Sequence, residues 1–262
     1  MKTIFKILIA LAVIALIVAA VLVVGHFLGW FHVDTTLKGD VRTESFTDSK
    51  NLQIEVGTAA VIIVPGETLS FETDHKYVNA KIEGDTLIVK EDQNNIGLNV
   101  TETPYVKVTV PTGKIFEEAN VKTGAGKVTG KGLAANVLKL DLGAGSVEFE
   151  DLYGYDRTTI NTGAGSFKVN GGELSKLDLS LGAGSANLRS RLMGSSAVEC
   201  GVGGVTLNLI GTEGDYTVTF KKGIGKATIA GVSAEEGKTY GDGPSEVRVH
   251  GGVGSIDVTY TA

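Results

Sequence analysis

Gly143-Ala144-Gly145-Ser146 lies between two runs of alternating apolar and polar residues, where a glycine loop can cradle a phosphate. A Walker loop needs G-x-x-x-x-G-K-[ST] opening a helix, and a dinucleotide fingerprint needs G-x-G-x-x-G doing the same. Here the glycine pair leads straight into another strand-like run, and it recurs throughout the chain, whereas a nucleotide site is unique. Glycine is also the default where backbone bends or approaches other backbone closely. The glycine pairs are therefore expected to be structural corners.

Other groups with chemical potential meet similar objections. Glu148, Glu150 and Asp151 cluster after this corner and Asp141 precedes it, but two carboxylates make a glycosidase only across a cleft of set width. Lys168 holds the place of Glu148 one unit later, so an exposed cross-strand ion pair is the expectation. Gly251-Gly252-Val253-Gly254-Ser255-Ile256-Asp257 approaches the calcium-binding G-G-x-G-x-D repeat, with its aspartate one residue late. Cys200 is the single cysteine, which excludes an intramolecular disulfide and a cysteine-based zinc site. It stands in a slot held elsewhere by Thr123, Leu142, Thr162 and Leu181, as a small hydrophobe would. His75 and His250 show no ligand spacing. No catalytic residue, metal or cofactor is implied.

The elements carrying these residues emerge from a repeat. T-G-A-G-K-V, L-G-A-G-S-V, T-G-A-G-S-F, L-G-A-G-S-A, C-G-V-G-G-V, K-G-I-G-K-A and G-G-V-G-S-I follow one another. Their corner glycines are Gly124 and Gly126, Gly143 and Gly145, Gly163 and Gly165, Gly182 and Gly184, Gly201 and Gly203, Gly223 and Gly225, and Gly252 and Gly254. The steps are 19, 20, 19, 19, 22 and 29 residues, so insertions fall late in the array. Three residues before each first glycine stand Val121, Leu140, Ile160, Leu179, Val198, Phe220 and Val249, with polar residues directly after them. Beyond each corner, Val128, Val147, Phe167, Ala186, Val205, Ala227 and Ile256 begin a second alternating run. Period-2 alternation on both sides predicts two short strands per unit, each with one buried face.

One unit cannot bury that face alone, so consecutive units are expected to stack in sequence order. The fold class expected is all-β: a β-solenoid of two-strand repeats of 19–20 residues. Residues 119–262 form its regular part and 51–118 an irregular opening that caps the first edge. Gly57-Thr58-Ala59-Ala60-Val61 takes the place of a later G-A-G-S-V there. The residue between each pair of glycines, Ala125 through Val253, is small and then bulkier, which predicts packing.

Ahead of the repeats, Ile7–Val24 is apolar throughout and Trp30, Phe31 and His32 follow. About 20 apolar residues span a bilayer, and amphipathic rings settle at its interface. Residues 1–33 thus read as one transmembrane helix with a short cytoplasmic N-terminus, embedded through residues 7–31. A cleaved signal peptide would have a shorter core and a clearer cleavage site. Residues 34–50 read as a polar stalk, and 51–262 as an extracellular ectodomain of a single-pass cell-membrane protein. A net charge of −6 argues against nucleic-acid binding.

"VKVTVPTG" followed by tandem "TGAGKV", "LGAGSVEFEDL" and "LGAGSANL" resembles the bacterial "putative adhesin" family of toast-rack-like, glycine-rich β-repeat envelope proteins, over roughly residues 45–260. The resemblance implies a toast-rack fold and an exported or membrane-anchored location, and carries over no catalytic residue. The function expected is a non-catalytic surface scaffold or adhesin that binds an unidentified protein or glycan. The alternative is an envelope-stress regulator acting through a membrane partner. Tyr153, Tyr155 and Arg157, read as a loop between units, are the candidate contact surface. Ser233–Glu246 is a second loop on the scaffold.

Overall fold

Val, Ile, Leu and Phe at every second position favour extended backbone with one dry face. The computed structural model describes residues 37–92 and 102–261 and is built almost wholly of such strands. The anchor assigned to residues 1–33, with its contact through 7–31, lies outside the described residues. Among the described residues no helix is long and apolar enough to cross a membrane.

The chain opens with β1 (Lys38–Ser45), β2 (Asn51–Thr58), β3 (Ala60–Gly66), β4 (Ser70–His75), β5 (Val78–Glu83), β6 (Thr86–Glu91) and β7 (Tyr105–Pro111). The repeats follow as β8 (Phe116–Gly130), β9 (Leu133–Phe149), β10 (Leu152–Val169), the short β11 (Gly172–Ser175), β12 (Leu177–Met193), β13 (Ser195–Ile210) and β14 (Tyr216–Ile229). Two short strands, β15 (Val232–Ser233) and β16 (Thr239–Tyr240), precede the last repeat, β17 (Ser245–Thr261).

Each regular unit is one long bent strand, which corrects the expectation of two short ones. The parallel ladder passes through the corner in register, with Ala125 opposite Ala144 and Gly126 opposite Gly145, then Ala144 opposite Ala164. The bend is made without breaking the ladder because the second glycine adopts a φ closed to side chains, +128° at Gly165. Gly165 also lies so close to the rung beneath that a Cβ would run into the Gly145 carbonyl oxygen. Gly184 shows the correction most plainly. Expected at a corner between two strands, it lies inside the single strand β12, opposite Gly165 on one side and Gly203 on the other. It still bends the chain, at φ +130°. The ladders Val121–Leu140–Ile160–Leu179–Val198 and Val128–Val147–Phe167–Ala186–Val205 are buried between the two sides of the rack. A third, short side joins Leu133, Leu152 and Gly172 in parallel register.

The stacking order departs from chain order at the end. β12 pairs with β13, but β13 then pairs with β17, and β14 lies outermost on the far side of β17. Residues 230–244 supply the slack: β15 and β16 fold antiparallel onto the outer edge of β14, and the chain returns beneath it. Ala234 is buried there and Tyr240 meets Phe220 edge-on at 5.8 Å. The Ser233–Glu246 segment thus covers part of an exposed edge. The residues between the glycines face outward, correcting the packing expectation; Val202, Val253 and Ile224 are among the exposed large hydrophobics.

At the opposite end, β2 and β3 together make the rung below β8, with Thr58 opposite Ala125 and Val61 opposite Val128. The Gly57–Val61 corner therefore stands where the repeat alignment puts it. β6 and β7 extend the rack by one further rung in parallel, and β5 and β4 close it antiparallel. β1 adds to β4, so residues 38–45 belong to the sheet and not to a stalk. Arg42 secures them by donating to the carbonyls of His75 (2.8 Å) and Val78 (2.7 Å).

Beneath the first corner lies a buried titratable pair. Glu91 Oε2 accepts the Gly57 N–H at 2.7 Å, and its Oε1 is 3.7 Å from Nε2 of fully buried His75. Those two facing atoms have no hydrogen-bond partner within the protein. His75 Nδ1 accepts the Tyr77 N–H, which leaves the proton of the neutral ring on Nε2. Burial pushes the imidazole below its usual range and the Glu91 carboxyl above its own.

Two outcomes follow for stability. Gly165→Ala is expected to cost about 2–4 kcal/mol in urea unfolding, because it adds a backbone collision to an unfavourable φ. Gly132→Ala, at φ +68° with open space around it, is expected to cost about 1–2 kcal/mol; equal losses would refute the close-approach argument. His75, neutral in the fold, contributes stability that is complete above its unfolded pKa of about 6.5 and is lost as pH falls through its lower folded value. Unfolding of the native chain and of His75→Gln between pH 7 and pH 5 should show the gap between them narrowing; a constant gap refutes the assignment.

Candidate functional site

The corner glycines shape a surface as well as a backbone. Along Gly143, Gly163, Gly182 and Gly201, where only backbone meets backbone, the stacked rungs leave a shallow trough on the rack. It is an open, shallow depression of about 540 Å³ that runs from β8 to β13. One wall is the ladder two residues before each first glycine: Lys122, Asp141, Asn161, Ser180 and Glu199. These are consecutive rungs in register, so each polar group sits about 4.8 Å from the next. A ladder of buried Thr123, Leu142 and Leu181 with half-buried Thr162 lies one residue nearer the floor.

The wall is internally tied. Asn161 Nδ2 donates to Asp141 Oδ1 at 2.6 Å, and Lys139 Nζ lies 3.2 Å from the other carboxylate oxygen. Partial burial works against the Asp141 charge, but these bonds outweigh it and hold the carboxyl below its usual range. Asp141 is thus an ionised acceptor. A smaller hollow of about 240 Å³ continues the polar ladder on the last rungs, beside Glu199, Lys221, Arg248 and His250. The repeat alignment gave all these positions, but not the trough, which forms only once rungs are stacked.

The other carboxylates turn outward beyond the corner. Lys168 Nζ donates to Glu148 Oε1 at 3.0 Å from the directly opposed position, and Asn170 donates to the same oxygen at 3.3 Å. The lysine chiefly holds the Glu148 carboxyl below its usual range. Glu150 pairs with Lys131 at 2.7 Å. Asp257 accepts from Thr228 on the neighbouring rung. Among the described residues no group of three or more His, Cys, Asp or Glu side chains is placed to hold a metal. Cys200 is buried in the slot beside Leu181, and burial pushes its thiol up, away from the reactive thiolate.

Tyr153, Tyr155 and Arg157 are in strand β10, not in a loop, which corrects their placement. A bulge sets Tyr155 and Asp156 opposite a single residue of β9, between the pairs Gly154–Ala135 and Arg157–Val137. The bulge is what lets Tyr153 and Tyr155 stack, at 6.0 Å between ring centroids. Tyr155 is 39% exposed and Tyr153 half-buried, and burial pushes the Tyr153 hydroxyl upward in pKa. This pair stands on the strand well before the corner, apart from the trough.

Three solved structures resemble the chain over most of its length. One is a "putative adhesin" from Bacteroides fragilis NCTC 9343, 15% identical, covering 87% of this chain and 100% of that chain with a TM-score of 0.46. Another is a "putative cell adhesion protein" from Clostridium sporogenes ATCC 15579, 12% identical, covering 86% and 100% with a TM-score of 0.36. A "putative lipid binding protein" from Parabacteroides distasonis ATCC 8503 is 16% identical, covering 84% and 96% with a TM-score of 0.38. No curated protein matches. The model of the Toastrack DUF4097 family matches residues 49–247, well over half of the chain, and the protein belongs to that family.

Proposed function

We propose that this chain is a non-catalytic binding scaffold of the bacterial envelope, held in the cell membrane by residues 7–31 and displaying the rack outside it. The trough carries this reading. Its wall presents one polar group per rung, an ammonium, a carboxylate, an amide, a hydroxyl and a carboxylate in turn, which suits a polymer rich in hydroxyl groups, a glycan lying along the rod. Each rung supplies little affinity, and several engaged together supply avidity. The exposed Tyr155 and Arg157, beside Tyr153, form a second contact surface of the kind that anchors protein partners. The pairing of Asp141, Glu148 and Glu150 supports binding over hydrolysis by these residues, since a glycosidase needs one carboxyl free to give up a proton.

The test places bulk in the trough. Ser180 and Asn161 have side chains on the polar wall, so Asn161→Trp and Ser180→Trp fill the groove without touching the core. Cells displaying the full chain should retain purified cell-wall polysaccharide, and the double variant should lose at least tenfold in retention with an unchanged melting temperature. Retention that is indifferent to the double variant removes the trough from the reading. Polysaccharide recovered in shortened form overturns the non-catalytic assignment.

A further inference from the structure

The outermost rung is left open at one place. On the free side of β14, β16 pairs with Val218 and Thr219, and β15 pairs with Thr228 and Ile229. Gly237 and Ala234 donate to the carbonyls of Phe220 and Ala227 at 3.2 and 2.8 Å. Between these seals, among the described residues, no strand pairs with Lys221–Lys226. The gap coincides with the glycine corner, where every inner rung receives another rung: Gly254 lies on the carbonyl of Gly203, and Gly225 on that of Gly254.

The side chains around the gap are not those of a blunted edge alone. Lysine at an edge discourages aggregation, and Lys221 and Lys226 are exposed there. Yet Ile224, between them, is 75% exposed, and it continues in register a stripe through Val253 and Val202, 44% and 55% exposed. On a chain of net charge −6, this corner joins apolar and basic groups. A second copy is a poor occupant. Lys222-Gly223-Ile224-Gly225-Lys226 reads the same in both directions, so antiparallel self-pairing centred on Ile224 sets lysine against lysine.

We infer that the open edge of β14 at Lys221–Lys226 is a strand-addition site for an extended acidic peptide of a partner protein, with glycine where it crosses Gly225. Backbone hydrogen bonds supply the generic affinity of such sites and alternate side chains the selectivity. The glycine requirement comes from the rack's own rule, that a Cβ over the second corner glycine meets backbone. The acidic requirement comes from Lys221 and Lys226. Lys221 also lines the hollow that continues the polar ladder, whereas Lys226 lines neither that hollow nor the trough, so Lys226→Glu alone distinguishes this site from the trough.

The probe is a labelled peptide with the sequence of residues 140–150, which combines Gly143-Ala144-Gly145 with Asp141, Glu148 and Glu150. It is titrated by fluorescence anisotropy against the full chain in detergent micelles, with amide hydrogen exchange read by mass spectrometry. Saturable binding is expected, weakening with salt, with slowed exchange gained at residues 221–226. Lys221→Glu with Lys226→Glu should weaken binding at least tenfold while leaving exchange across β13 unchanged. The peptide carrying Gly143→Val and Gly145→Val should also lose at least tenfold. Binding without protection of 221–226 overturns the inference. So does protection that rises with protein concentration alone, which would mean self-association, or protection gained from anionic lipid vesicles and not from the peptide.

Discussion

The whole rack depends on backbone meeting backbone at the corner. Rungs about 4.8 Å apart can turn a corner in register only if nothing projects from the chain between them. The would-be Cβ of Gly124 lies 2.7 Å from the Gly57 carbonyl oxygen, and that of Gly126 2.5 Å from the Ala59 oxygen. A side chain at either place would push rungs apart, and the ladders on both sides of the bend would lose contact together. Close approach at the corner and packing of Val121 on Leu140 on Ile160 are therefore one requirement. The trough runs along these same corners, beside the polar ladder.

A stack of this kind is stable in its middle and exposed at its ends, because each rung's bonding groups are satisfied only by neighbours. The two ends are closed by the same device, antiparallel strands laid on parallel ones. At the opening, β5 and β4 lie on β6 and β7, and β1 adds to β4. At the far end, β15 and β16 lie on β14. Placing β17 inside β14 lets the closing strands come from the connection and not from the chain's tail.

The sequence shows a repeat when one interaction recurs at a fixed offset. It gives the corner glycines, the buried ladders, the Glu148–Lys168 pair and the substitution of Gly57–Val61 for a standard corner. It hides whatever depends on which copy of the repeat is the neighbour. Ile256 of β17 and Ala227 of β14 are equally good in the same ladder, so nothing local tells β13 which of them to take. The continuous bent strand is hidden for another reason: G-x-G signals a bend, as at Gly182 and Gly184, but whether hydrogen bonds survive it depends on the rung beneath. Tyr155 reads as loop because a bulge and a turn share residue types, and only the opposing Gly154–Ala135 and Arg157–Val137 pairs separate them. Lys38–Ser45 is polar and mostly exposed even as a strand, so alternation gives no sign of it. The trough leaves no sign in the sequence either, although all its wall residues align there.

Repetition also constrains what kind of chemistry the trough can host. A catalytic centre is a singular arrangement, with a proton donor and an acceptor held in different environments. In a rack each inner wall residue has neighbours of matching geometry one rung above and below, as Asn161 of the next rung donates to Asp141, while Lys139 of the same strand pairs its other oxygen. At Asp141 the wall ties its own carboxylate through a cross-rung bond. What it can vary is charge along its length: positive at Lys122, negative at Asp141, neutral at Asn161 and Ser180, negative again at Glu199. A ligand whose groups repeat meets this series at a few favourable registers, and each rung engaged lowers the cost of engaging the next. On the proposed reading, the rigid corner fixes the spacing and the polar ladder sets which polymer fits.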